Sequence, residues 1–177
     1  KYNSAELTIP SSVVEICDEA FANAENLKQL VVSSDLTVGN DVFKNTDIII
    51  YSTTSDVYNL EYACVHEGVE LRYTLGFDYY LIQVDETLKE AVVMGLDANK
   101  YNAVDENGKS LTPALRYLYV PMYINGYKVV GIGDGAFAGA LYDNFKGYYI
   151  PDTVQYLGEN AFADTKAEGI VLGTSLS

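Results

Sequence analysis

Basic residues are scarce in this sequence: 11 Lys and Arg stand against 25 Asp and Glu, for a net charge of −14 over 177 residues. Nothing there forms the basic patch that releases counterions from phosphate, so nucleic acid is excluded as a partner. The same charge disfavours an anionic membrane surface and points instead to a well-solvated acidic exterior. No apolar run approaches the roughly 20 residues needed to cross a bilayer as a helix. Cysteine is nearly absent, and Cys17 and Cys64 alone are too few for the disulfide framework of a small secreted domain. There is no Trp, and His66 is the only histidine. Asn-x-Ser/Thr sequons are lacking too, which removes support for a glycosylated eukaryotic ectodomain. Neither an initiator Met nor a signal peptide is found, so a mature or trimmed piece is expected.

Apolar residues and tyrosine are what the chain does have. Hydrophobic residues make up 49% of it, enough for a folded core, and 16 residues are Tyr. Tyr suits the pleated, half-buried surface of a sheet, and it suits binding surfaces because its large area carries few torsions to freeze.

A phrase recurs along the chain. Ile150-Pro151 leads through Val154, Tyr156, Leu157 and Gly158 to Ala161-Phe162, as Ile9-Pro10 leads through Val13, Glu15, Ile16 and Cys17 to Ala20-Phe21; from Pro to Phe is 11 residues in both copies. Val120-Pro121 to Ala136-Phe137 repeats it with Ile124–Lys128 inserted, and Val32-Ser33 to Val42-Phe43 repeats it one residue shorter. Successive Phe residues lie 22 apart (Phe21 to Phe43) and 25 apart (Phe137 to Phe162). A period in the low twenties marks units that cannot bury their apolar faces alone and therefore stack. Each unit reads as strand, turn, strand and a tight helical turn that buries its Phe. A small residue follows each Phe by three positions (Ala24, Thr46, Ala140, Thr165), where stacked turns approach closely.

The recurring Ile-Pro, Ile-Gly and Ala-Phe positions resemble the BspA-type leucine-rich repeat family. Four units carry the resemblance, at Leu7–Phe21, Leu30–Phe43, Leu118–Phe137 and Tyr148–Phe162. Cys17 departs from it by replacing Gly, Ser33 by replacing Pro, and Val42 by replacing Ala. The implied fold is a β-rich solenoid of such repeats with short helical turns, one capping helix and a β-hairpin. Ser55-Asp56 as N-cap, Val57, Leu60 and Cys64 at helical spacing, and Gly68 as a stop predict the capping helix, with Val69–Tyr73 as its closing edge strand. Such a cap covers apolar surface and unpaired backbone that a last repeat otherwise exposes. Asp78–Val84 and Leu88–Met94 predict a hairpin around Asp85-Glu86-Thr87. Gly95–Pro113 reads as irregular, with a turn at Asp105–Gly108. The expected organisation is therefore 1–74, the C-terminal end of a first repeat array with a helix-strand cap, and 75–177, a β-hairpin N-cap and the start of a second array.

Catalysis finds little footing in these residues. Cys64 and His66 lie two positions apart on the predicted helix, about 200° around it, and their side chains do not meet there. Cys64 shares the apolar face with Val57 and Leu60 and reads as a buried thiol, and Cys17 reads as a small structural residue of a repeat turn. No Cys and His stand at metal-ligand spacing, and the acids Asp18, Glu19, Asp41, Asp134 and Glu159 recur at turns, as capping and solvation require. Asp97, Asn99, Asp105 and Asn107 offer oxygen ligands for calcium without the spacing of an EF-hand loop. Gly131–Gly135 is glycine-rich but follows the repeat and lacks the last Gly of a dinucleotide-binding turn. No enzyme activity, cofactor or metal is expected.

Binding has more support. With Leu118 and Val120 inward, strand alternation turns Tyr117 and Tyr119 outward, and the same register turns out Tyr149, Val31 and Val171. Such a row suits recognition of an extracellular protein or glycan, although Tyr also favours strands for packing alone. The resemblance implies a non-enzymatic bacterial surface or secreted protein mediating adhesion. The alternative is a run of spacer repeats in a modular surface protein or enzyme.

Overall fold

A computed structural model describes residues 4–176; the ends of the two expected segments, 1–3 and 177, lie outside the described residues. The chain divides into two compact units, Lys1–Thr74 and Leu75–Ser177. Each has its own apolar cluster.

In the first unit the strands are β1 (Glu6–Thr8), β2 (Glu15–Ile16), β3 (Gln29–Val32), β4 (Thr37–Val38) and β5 (Ile49–Ser52), followed by helix α1 (Tyr58–Glu67) and β6 (Glu70–Tyr73). β1, β3, β5 and β6 form a parallel sheet in that order, and β2 pairs with β4 beside it. The register sets Leu7, Leu30, Ile50 and Leu71 side by side, so one apolar residue per repeat enters the core at the same level. Parallel neighbours far apart in sequence are what stacked repeats produce, each strand pairing with its counterpart in the next unit.

The Ala-Phe turns are not helical. Glu19, Asn23, Asp41, Asn45, Asn160 and Asp164 have positive φ, as do Gly135 and Gly139. These are the positions two before and two after each Phe. The alternating left-handed residues turn every second amide sideways, toward the next repeat. Glu19, Phe21 and Asn23 donate to the carbonyls of Asn40, Val42 and Lys44 at 2.9–3.0 Å, and Gly135, Phe137 and Gly139 donate to those of Glu159, Ala161 and Ala163 at 2.7–2.9 Å. A helical turn would have pointed those amides along its own axis and left the neighbouring carbonyls unpaired. Asn, Asp and Gly recur there because they tolerate the left-handed region best; Glu19 is the exception. Phe21 is only partly buried and stacks on Phe43 at 6.2 Å.

Helix α1 ends as its sequence predicts, at a left-handed Gly68, but begins differently. Val57 occupies the N-cap and makes no side-chain cap. The capping carboxylate comes from Asp35 in the preceding repeat, which accepts from the amides of Asn59 (3.1 Å) and Leu60 (3.2 Å). Near the other end of α1, Glu67 accepts from the amides of Val42 and Phe43, at 3.1 and 2.7 Å. Two carboxylates thus fasten the helix to the second repeat. Partial desolvation pushes the Asp35 carboxyl upward, but donors from Asn59, Leu60 and Leu36 outweigh it and hold the group below its ordinary range. A depressed folded pKa contributes stability above the unfolded value of about 3.9, and loses it as pH falls through the folded value. Asp35→Ala is therefore expected to cost roughly 1 kcal/mol at neutral pH. Urea unfolding at pH 7 and at pH 3 checks this: the gap to wild type narrows at the lower pH, and Asp35→Asn retains most of the capping at pH 7.

The second unit contains β7 (Tyr80–Asp85), β8 (Glu90–Leu96), α2 (Ala98–Tyr101), β9 (Tyr117–Tyr119), β10 (Tyr123–Ile124), β11 (Tyr127–Ile132), β12 (Gly147–Tyr149), β13 (Tyr156–Leu157) and β14 (Gly169–Val171). The expected hairpin is β7–β8, displaced about two residues along the chain. Asp85 closes its turn by accepting from Thr87 and Leu88. β11 runs parallel to both β8 and β13, so the hairpin joins the repeat sheet. The stretch expected to be irregular contains α2, whose N-cap Asp97 accepts from Asn99 and Lys100. β9, β12 and β14 form a separate parallel sheet. Between these sheets Phe137, Tyr142, Phe145, Tyr148 and Phe162 pack ring against ring, centroids 5.0–5.7 Å apart. The Tyr148 hydroxyl is buried without a hydrogen-bond partner among the described residues, and that burial raises its pKa.

Candidate binding surface

The three-stranded sheet places four of the five expected binding residues together. Tyr119, Tyr149 and Val171 occupy one row across β9, β12 and β14, and Tyr117 shares the next row with Gly147 and Gly169. Leu118 and Tyr148, one position away, are wholly buried, as alternation requires. Tyr119 and Tyr149 stack with ring centroids 4.1 Å apart and planes 10° from parallel. Tyr117 meets Tyr149 edge-on at 6.1 Å. Its ring lies across Gly147, where a Cβ would sit 3.2 Å from the ring. Glycine there lets the aromatic side chain lie down over the neighbouring strand. Tyr117 is 40% exposed and Val171 52% exposed, whereas Tyr119 and Tyr149 are half-buried.

Val31 is the correction. Alternation turns it away from the cluster that holds Leu30 and Val32, yet it is only 4% exposed. It stands on an interior strand directly beside Tyr51, with Gln29 two residues earlier on the same face. Val is shorter than either, so its taller neighbours shield it, and it belongs to the other unit. Alternation gave the side of the sheet but not the height of the neighbours.

Cys64 is buried, and burial, with Glu67 and Glu61 nearby, pushes its thiol up to about 12, so it stays protonated. His66 is exposed and stacks on Tyr62 at 6.2 Å, in a cleft of about 790 Å³ between the second repeat's turn and α1. Cys64 does not line that cleft. Cys17 is exposed. It takes the position at which Gly39 and Gly158 lie against the preceding repeat's turn. Asp97 and Asp105 use their carboxylates on local amides, Asp105 accepting from Asn107 and Lys109. Among the described residues no set of three or more His, Cys, Asp and Glu is arranged to hold a metal ion.

Three charged side chains beside the Tyr face carry no motif that marks them in the sequence. Arg116, Lys146 and Glu168 each immediately precede a strand of the three-stranded sheet. Backbone bonds link them in order: Lys146 donates to the Arg116 carbonyl at 2.7 Å, and Glu168 to the Lys146 carbonyl at 2.8 Å. The Arg116 guanidinium stands 5.7 Å from the centre of the Tyr117 ring, within cation–π range. A charged residue just before each strand was the available signal.

Short parallel strands recurring at the repeat interval, one apolar side chain per level and recurrent left-handed turns together define a leucine-rich repeat fold. A family model described as the BspA type leucine rich repeat region matches residues 1–71 and 124–177 in six copies. The chain belongs to the BspA-type leucine-rich repeat family. The unmatched residues between contain the hairpin, α2 and β9. Among solved structures, the chain is similar to a leucine rich cell surface protein from Faecalibacterium prausnitzii A2-165, at 14% identity and a TM-score of 0.40. That likeness takes in 97% of this chain and 42% of the other, so the chain spans less than half of that protein. No curated protein matches. No helix among the described residues is long and apolar enough to cross a membrane.

Proposed function

We propose that this chain is part of a non-enzymatic bacterial surface or secreted protein that binds an extracellular protein or glycan. Membership of a family whose members are often surface adhesins supports the location. The single observation that supports binding is the aromatic face of the β9–β12–β14 sheet, with Tyr117 and Val171 open to solvent. In this reading residues 1–74 close one solenoid array beneath the α1–β6 cap. Residues 75–177 open a second array with the β7–β8 hairpin as its N-cap.

The test sets the intact chain against a panel of matrix proteins and glycans, beside Tyr117→Ala/Tyr119→Ala. Removing an aromatic anchor pair is expected to weaken a genuine ligand by roughly tenfold or more. Equal weak binding of both proteins to every member of the panel removes the Tyr face. The second reading, spacer repeats, is favoured by one observation: Tyr119 and Tyr149 already pack on each other. A catalytic or adhesive domain elsewhere in the full-length gene, with no binding by this part, selects it.

A further inference from the structure

We propose that a groove in the second unit, beside Tyr117, binds a carboxylate-bearing saccharide such as a uronate. The groove deepens the reading above, naming a ligand class at the Tyr117 end of the same sheet. It has a volume of about 920 Å³, within the span of small-ligand pockets of about 300–1,000 Å³. Its charged lining is Arg116 and Lys146, and its polar lining includes Asn102, Asn144, Ser110 and Thr112. No Asp or Glu lines it. That is unexpected in a chain with more than twice as many acids as bases.

The two cations stand at equivalent positions immediately before paired strands, joined through the Lys146 amide and the Arg116 carbonyl. Like charges side by side repel, and the single Glu168 carboxylate, held below its ordinary range first by Lys146 and then by Arg116, offsets only one of the two charges. Among the described residues Lys146 has one ion-pair partner, Glu168, at 3.0 Å, with both side chains exposed. That pair is weak in the way exposed ion pairs are. Arg116 has no ion pair among the described residues and keeps its bidentate donors available. A guanidinium fork and an ammonium together match a carboxylate. The remaining contacts suit a sugar. Asn102 offers its amide to hydroxyl groups, Asn144 has hydrogen-bonding capacity beyond its bond to Tyr101, and the exposed Tyr117 ring at the edge offers a face for the apolar side of a pyranose. Glu168 occupies Lys146 when no ligand is present and competes with the ligand's carboxylate.

The experiment titrates the intact chain, followed by backbone amide NMR, with three probes: a galacturonate trimer, a neutral glucose trimer and triglutamate. The galacturonate trimer is expected to shift amides of residues 101–116 and 144–147, and the neutral trimer to leave them in place. Affinity falls as salt rises. Arg116→Gln is expected to weaken binding roughly tenfold, through loss of charge-assisted hydrogen bonds, and Arg116→Lys to restore part of it. Glu168→Gln is expected to tighten it by roughly two- to fivefold. The amide spectrum itself reports whether each variant is folded. No binding of galacturonate by the wild type, equal binding of the neutral trimer, or binding unchanged in Arg116→Gln overturns the proposal. Triglutamate binding as tightly as galacturonate also overturns it, in favour of an acidic peptide. If galacturonate fails while Tyr117→Ala/Tyr119→Ala still loses binding in the macromolecular panel, the groove falls and the Tyr face stands. The reverse pattern removes the Tyr face and keeps the groove.

Discussion

Phe137→Ala is expected to destabilise the second unit by roughly 3–5 kcal/mol, enough to unfold a domain of ordinary stability. Phe137 is wholly buried and touches Tyr142, Tyr148 and Phe162, with ring centroids 5.2–5.5 Å away. Truncation leaves a ring-sized void that its neighbours cannot fill. Tyr148 is fixed by its strand, and the hydroxyl of Tyr142 is tied to the Leu96 amide at 3.1 Å. The Phe137 backbone amide is also a rung between repeats, donating to Ala161 at 2.7 Å, so local collapse disturbs that ladder too. Hydrogen exchange of the intact chain checks the effect: amides of β11 and β12 should lose most of their protection. Retained protection with a drop of under about 1 kcal/mol would show that the aromatic cluster does not hold the unit together.

The second large effect separates two glycines that look alike in sequence. A Cβ at Gly158 would meet the backbone of the preceding repeat, 2.5 Å from the Gly133 carbonyl carbon and in contact with the Asp134 amide nitrogen. Those atoms cannot move without opening the bonds that join the two turns, Gly158 to Ile132 at 2.7 Å and Glu159 to the Asp134 carboxylate at 2.8 Å. Gly158→Ala is expected to cost roughly 3 kcal/mol. The atoms nearest a Cβ at Gly131 all belong to the Tyr156 ring, a side chain 45% exposed. That ring can swing toward solvent, so Gly131→Ala should cost about 1 kcal/mol or less. Chemical denaturation of both variants decides it. Equal losses would mean that the contact between stacked turns is not what demands Gly158.

Much of the fold was legible because its signals are local. The Ile-Pro to Ala-Phe phrase marks each repeat by spacing alone, and alternation along Leu118–Val120 tells which side chains enter the core. Asp85 and Gly68 are turn and stop residues whose meaning depends on immediate neighbours. Short-range chemistry of this kind repeats wherever the same residues recur.

The misses share another cause. A phrase ending in Ala-Phe suggests a helical turn. The left-handed residues beside each Phe become intelligible only when the carbonyls of the next repeat are there to receive amides turned sideways. Asp35 could not be read as the cap of α1, because Asn59 lies 24 residues away. Ser55-Asp56, the local candidate, lost to it.

By itself the sequence determined that this is a leucine-rich repeat chain, where four of its repeat units fall, that Leu118 and Val120 enter the core, and that Tyr117, Tyr119, Tyr149 and Val171 share a face. Only the tertiary structure decided that Val31 is shielded and that Arg116 and Lys146 stand side by side. Arg116 and Lys146 are 30 residues apart, whereas Lys146 and Glu168 are 22 apart. Counting by the repeat does not bring the first pair together, because inserted and looped residues lengthen the connection between β9 and β12. Strand pairing removes that difference by closing each connection, whatever its length, onto the same sheet. The chemistry of a neighbouring pair is therefore fixed by register across the sheet, a property that neither residue carries in its own stretch of sequence.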